Sequence, residues 1–231
     1  MDKETLQIEI AGVNHQGEGV GRVNGMVYFV PNTFPGDLAE IEETGKTKNY
    51  CRGTLVRLIK LSPHRLESAC TANQCGGCCW QCINYEEQLV WKRRLVEDSL
   101  RRIGHVQCDV NPVIGMEDPY HYRNKATFHV ERTSSGIKIG FYETGSHKIV
   151  QLEDCSIIPA RWPEIIQAIQ GMIDPLADDI EGITLRQSYN TGELMVIFHT
   201  HSEKARLTKV ADQLMKRFPE ISGVVALEPL S

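Results

Sequence analysis

The stretch Gly17-Glu-Gly-Val-Gly-Arg-Val-Asn-Gly-Met-Val-Tyr-Phe-Val-Pro31 decides how the first part of this chain folds. Its Gly17-x-Gly19-x-Gly21 opening has the look of a nucleotide loop, but such a loop closes a strand and opens a helix. Here the glycines run into Val20–Val30, where Asn24-Gly25 stands between two apolar runs. That dipeptide supplies the two positive-φ residues of a type I′ hairpin turn. The glycines therefore read as barrel-turn glycines. Upstream, Leu6, Ile8 and Ile10 alternate with polar residues, the period of a half-buried strand. Downstream, Pro31 and Pro35-Gly36 punctuate a turn, and Asp37-Leu-Ala-Glu-Ile and Cys51-Arg-Gly-Thr-Leu-Val-Arg-Leu-Ile supply two more strands. Five short strands within residues 5–61 predict a small closed barrel of the OB type.

The barrel is followed by Cys70-Thr-Ala-Asn-Gln-Cys75-Gly-Gly-Cys78-Cys79-Trp-Gln-Cys82, which holds five of the eight cysteines. In a reducing compartment, clustered cysteines are metal ligands more often than disulfides. The Gly76-Gly77 turn leaves two thiolates with no side chain between them, and its N–H groups can bond to sulfur. Two metals suit this set. Cys70, Cys75, Cys78 and Cys82 could make a local zinc site, or three thiolates could hold an iron–sulfur cluster with a fourth from elsewhere. Cys51 and Cys108 read as small buried hydrophobes. The eight histidines are scattered and read as surface or core residues.

A helix follows the loop. Asn84 caps it, with Glu87 three residues on in a capping-box arrangement. Tyr85, Leu89, Val96, Leu100 and Ile103 fall on one face, expected to pack, and Gly104 ends the helix. Lys92, Arg93, Arg101 and Arg102 lie off that face. From residue 110 onward, strand patterns at 124–131, 137–143, 148–152, 183–189, 193–200 and 223–227 alternate with helix patterns at 163–173 and 203–217. The expected fold class is α+β: an OB-like barrel (1–61), a cysteine loop with a basic helix (62–109) and a mixed α/β central domain (110–231).

Charge is distributed unevenly. The chain carries a net charge of -5, yet residues 51–105 hold nine basic and five acidic groups. A basic face on an acidic protein can still attract phosphate. No apolar run approaches the roughly 20 residues that span a bilayer. The N-terminus Met1-Asp-Lys-Glu-Thr5 is not a signal peptide. A cytoplasmic location with no membrane partner is expected.

The motifs come in a specific order. Val30-Pro31 and Pro35-Gly36 lead to Cys75-Gly-Gly-Cys78, then Tyr85-x-x-Gln88-Leu89-x-x-Lys92 and Leu100-x-Arg102-Ile103-Gly104. Tyr122-Arg-Asn-Lys-Ala126 and Asp154-Cys155 follow. This order resembles the N-terminal part of the RNA uracil-5-methyltransferases that carry a TRAM domain and an iron–sulfur cluster, with a lean toward those acting on 23S ribosomal RNA. The resemblance covers essentially the whole chain. It implies a 4Fe–4S cluster on Cys70, Cys75, Cys78 and the distant Cys155, which would clamp the loop onto the central domain. Four residues separate Cys70 from Cys75, where the family commonly has five; a loop absorbs that difference.

RNA is the implied partner, for a chain expected to be a monomer. Arg52 and Arg57 on the last barrel strand, and Lys92 and Arg93 on the basic helix, are candidates for phosphate contact. By resemblance, Tyr122-Arg123-Asn124-Lys125 sits beside the substrate uridine, with Arg123 and Lys125 on phosphates. Methylation at C5 in this family uses a cysteine thiolate that adds to C6, S-adenosylmethionine as methyl donor and a general base. Those groups lie in a C-terminal Rossmann-like domain whose motifs are absent here. No residue of this chain is assigned as nucleophile, base or cofactor ligand, and the chain alone is expected to be inactive. The alternative expectation is a stand-alone, non-enzymatic RNA-binding module with an iron–sulfur or Cys₄ zinc centre.

Overall fold

The computed structural model describes residues 5–67, 70, 72, 74–201 and 204–228. They form two compact units: Met1–Ser68 with Cys79–Glu117, and Ala69–Cys78 with Asp118–Ser231. The stretch 62–109, expected as one segment, is divided between them. Residues 74–78 go with the second unit, where Cys75 bridges Glu143.

In the first unit, β1 (Thr5–Val13), β2 (Gly19–Val23), β3 (Met26–Val30), β4 (Leu38–Lys46) and β5 (Tyr50–Lys60) close a barrel in the order β1-β2-β3-β5-β4. Only β3 and β5 pair in parallel. The alternation in β1 turns Ile8 and Ile10 inward, where they meet Tyr28, Val30, Ala39, Ile41 and Cys51. Asn24 and Gly25 take φ of 51° and 82°, as the hairpin turn requires. Gly21 is needed for closeness instead. A Cβ there would stand 2.5 Å from the Glu9 carbonyl oxygen and 2.6 Å from the Ile8 side chain. Gly21→Ala is expected to cost about 1–3 kcal/mol, read as a lower urea midpoint. An unchanged midpoint would show that β1 and β2 separate without penalty.

The helix α1 (Tyr85–Arg102) starts as expected, with Asn84 Oδ1 accepting the Glu87 N–H at 2.8 Å. Its packing differs from the expectation. Val96 and Ile103 are exposed and no residue of α1 is fully buried. The contact is made by Trp91, edge-on to the buried Phe34 at 6.1 Å, with Trp80 meeting the same ring at 5.7 Å. The Trp91 indole makes this contact, where the face of Tyr85, Leu89, Val96, Leu100 and Ile103 was expected to pack. Cys51 is buried, but Cys108 is exposed in the segment after α1, so its reading as a core residue is corrected.

In the second unit, β6 (Lys125–Thr133), β7 (Gly136–Tyr142), β8 (Ile149–Gln151), β9 (Ile180–Gln187), β10 (Leu194–Thr200) and β11 (Ile221–Leu227) form one sheet in the order β11-β10-β9-β6-β7-β8. Only the β10–β11 pair is parallel, and α3 (Lys204–Arg217) supplies its crossover. Residue 203, where this helix was expected to begin, lies outside the described residues. Together with α2 (Trp162–Met172), α3 covers one sheet face. There Phe128, Ile139, Ile183, Leu185, Val196 and Phe198 pack with Trp162, Ile165, Ile169 and Leu214. The strand and helix positions follow the sequence expectation to within a few residues. A 3₁₀ turn over Asp174–Asp179 was not anticipated.

Candidate metal centre and nucleic-acid interface

The second unit holds Cys70, Cys75, Cys78 and Cys155. Backbone pairing docks the loop on the end of β7. Gly76 N–H donates to Tyr142 O at 2.9 Å, and Thr144 N–H donates to Gln74 O at 3.0 Å. The Gly-Gly turn aims an amide at sulfur, with Gly77 N–H 3.4 Å from Cys75 Sγ. Cys155 is buried. Its neighbours are tied to the Tyr122 segment, with His121 N–H donating to Ser156 O at 2.7 Å and Arg123 N–H to Ile157 O at 2.8 Å. Arg123 then reaches the loop: its guanidinium donates to Gly77 O at 3.3 Å and lies 6.0 Å from the Phe141 ring centroid.

The Cys75 and Cys78 thiols both stand above their ordinary value. Desolvation of its sulfur pushes the Cys78 thiol up to about 12, although the residue as a whole is exposed; Cys155, Cys75 and Cys70 raise it further, and Arg123 opposes them. Cys75 is raised first by burial and then by Cys155 and Cys70, against the Gly77 amide and Arg123. Thiols that oppose one another's ionisation are the donor set that a cationic metal centre relieves. As the side chains stand, no group of three or more His, Cys, Asp or Glu among the described residues is placed to hold a metal ion.

Cys82 belongs to the first unit, where its Sγ accepts Arg65 Nη1–H at 3.2 Å. That arginine is part of a buried cluster not visible in the sequence. Asp37, fully buried, accepts Phe34 N–H at 2.6 Å, Ser62 N–H at 2.9 Å, and Arg65 Nε and Nη2 at 2.8 and 2.6 Å. The carboxylate beside it holds the Arg65 guanidinium above its ordinary value. In the sequence, Asp37 follows Pro35-Gly36 and signals only a turn.

The expected phosphate-binding residues have local partners. Arg52 pairs with Glu18 at 2.8 Å, Arg57 with Glu40 at 2.5 Å, and Arg93 with Glu97 at 2.8 Å. Lys92 Nζ lies 5.7 Å from the Tyr85 ring centroid. Lys125 is exposed and stands in register with Arg186 of β9. The sequence reading missed Arg186, which has no neighbouring basic residue in the chain to mark it. The first unit also carries a groove of about 1290 Å³ lined by Arg22 and Phe29 of the barrel and Trp91 and Arg94 of α1. No helix among the described residues is long and apolar enough to cross a membrane.

A closed OB-type barrel joined in sequence to a cysteine-bearing α+β unit is the class of architecture this chain belongs to. Residues 1–56 match the family model of the TRAM domain. Over 96% of its length, the chain is similar to three proteins each named an uncharacterized RNA methyltransferase. That of Halalkalibacterium halodurans is 31% identical, that of Clostridium tetani 32% and that of a Nostoc species 35%. The chain spans 51%, 50% and 51% of those relatives, about half their length. Among solved structures it is similar in fold to the Pyrococcus abyssi tRNA (uracil-54, C5)-methyltransferase in complex with S-adenosyl-L-homocysteine. The TM-score is 0.60 at 24% identity, covering 85% of this chain and 46% of that one. The chain thus resembles, over nearly its whole length, one half of a TRAM-bearing RNA methyltransferase.

Proposed function

We propose that this chain is the RNA-binding, 4Fe–4S-bearing part of an S-adenosylmethionine-dependent RNA uracil-5-methyltransferase, most like the 23S ribosomal RNA enzymes. The observation that carries this reading is the gathering of Cys70, Cys75, Cys78 and Cys155 in one unit of a chain that opens with a TRAM domain. These four residues would hold the cluster, which supplies a covalent tie between the loop and the Cys155 segment. Methyl transfer needs no redox step from it. Arg123 would brace the loop through Gly77. The methyl donor and the nucleophile belong, on this reading, to a further Rossmann-like domain.

RNA would be held by Arg52, Arg57, Lys92, Arg93, Arg123 and Lys125. The ion pairs of the first unit do not remove them from this role, because exposed pairs contribute only about 0–1 kcal/mol. Arg123 keeps capacity too, since a guanidinium carries five N–H donors. Binding of a uridine-containing RNA hairpin, followed by fluorescence anisotropy against salt, tests the reading. Arg123→Ala is expected to weaken binding and to reduce the salt slope by about 1. Wild-type protein that binds no RNA at low salt would overturn the proposal.

A further inference from the structure

We propose that the face of the second unit's sheet opposite α2 and α3, exposed at Lys125, Arg186 and Met195 and half-buried at His129 and Tyr142, is a stacking platform for single-stranded RNA, with Arg186, His129 and Tyr142 as its principal contacts. This rests on the RNA-binding reading above and names a surface and three residues for it. The helices α2 and α3 cover the face that carries Ala126, Phe128, Leu185 and Val196. Strand alternation therefore sends Lys125, Thr127 and His129 of β6 to the other face, with Arg186 and Thr184 of β9 and Met195 and His199 of β10.

The register sorts these residues into rows. Lys125, Arg186 and Met195 stand side by side across β6, β9 and β10, and all three are exposed. Two positive charges thus lie together with no acid in their row. The next acid along this face of β6, Glu131, is in register with Lys138. Between the ends of the platform, Thr127 and Thr184 share a hydrogen bond of 2.7 Å, and Thr184 Oγ1 is 2.9 Å from His199 Nε2.

At the other end, four residues along β6 and about 13 Å away, the His129 ring stacks on Tyr142. Their centroids are 3.6 Å apart at 11°, and His147 meets Tyr142 edge-on at 5.0 Å. This stack borders a cavity of about 370 Å³ that Gly76, Gly77, Phe141 and Glu143 also line. Flat rings for bases and paired cations for phosphates, on one sheet face, are what single-stranded RNA requires. Duplex RNA has its bases stacked on each other and can use only the cations.

The test compares a uridine-rich single-stranded oligonucleotide with an RNA duplex of equal charge, by anisotropy at fixed salt. Tyr142→Ala and Arg186→Ala are each expected to weaken single-strand binding about 10-fold. Tyr142→Phe should keep the affinity, and Tyr142→Ala should leave duplex binding unchanged. Lys216→Ala, on α3 at the opposite side of the sheet, should bind like wild type. Thermal midpoints check folding; Arg186 is exposed, so its variant keeps the test valid if Tyr142→Ala does not fold. Wild-type affinity in both Tyr142→Ala and Arg186→Ala overturns the platform while leaving the RNA-binding reading intact. Equal losses on single strand and duplex in Tyr142→Ala also overturn it. A wild type that binds neither RNA overturns the broader reading.

Discussion

Cys155→Ser protein purified without oxygen is expected to be colourless, whereas Cys82→Ser protein should stay as brown as wild type. Wild type should absorb broadly near 400 nm and contain about four irons per chain. The reason is where the two thiols lie. Cys155 is buried in the second unit, and it raises both Cys75 and Cys78. Cys82 sits in the first unit against Arg65. A cubane missing one of its thiolates loses the ligand that ties the loop to the Cys155 segment, so the colour should go. Metal analysis decides the alternative. A colourless wild type with one zinc per chain, lost in Cys82→Ser and kept in Cys155→Ser, would sink the iron–sulfur proposal.

Replacing Asp37 by Ala should be the most destabilising single change in the first unit, at about 3–5 kcal/mol. Asp37 is fully buried and receives four hydrogen bonds, two from backbone amides and two from Arg65. Removing it leaves the guanidinium and two amides without their acceptor inside the protein. An uncompensated buried charge costs far more than a lost surface pair. Arg57→Ala, which breaks the exposed pair with Glu40, is the matched control, and it is expected to leave the midpoint nearly unchanged. Urea unfolding followed by Trp91 and Trp80 fluorescence reads both. Similar midpoints for the two variants would show that the Asp37 cluster is not a major support of the barrel. A double change to apolar residues of similar volume at Asp37 and Arg65 should recover part of the loss, because it removes the stranded charge together with its partner.

Much of the fold was legible because it is written in local terms. Strand alternation, Asn24-Gly25 and the Asn84 cap each act over a few residues, and each stands where it was expected. The packing of α1 was not legible. Its apolar residues have helical spacing, but which residue meets the barrel depends on Phe34, far upstream of Trp91 in the turn between β3 and β4. Arg52, Arg57 and Arg93 were identified as basic, while their partners Glu18, Glu40 and Glu97 emerge only from strand register and helix phase. Cys108 shows the same limit from the other side: an apolar residue type in a segment that nothing covers.

Local sequence signals are enough for the barrel, the α+β order of the second unit, and the residue types available for metal and RNA. They do not decide which cysteines are neighbours, because a ligand set depends on distance in space and Cys155 lies far along the chain from Cys78. In the folded chain Cys70, Cys75, Cys78 and Cys155 fall in one unit, where Cys75 pairs with Glu143. Tertiary structure also placed Arg186 beside Lys125 and His129 on Tyr142, since strand register, and not proximity in the chain, sets which side chains share a face.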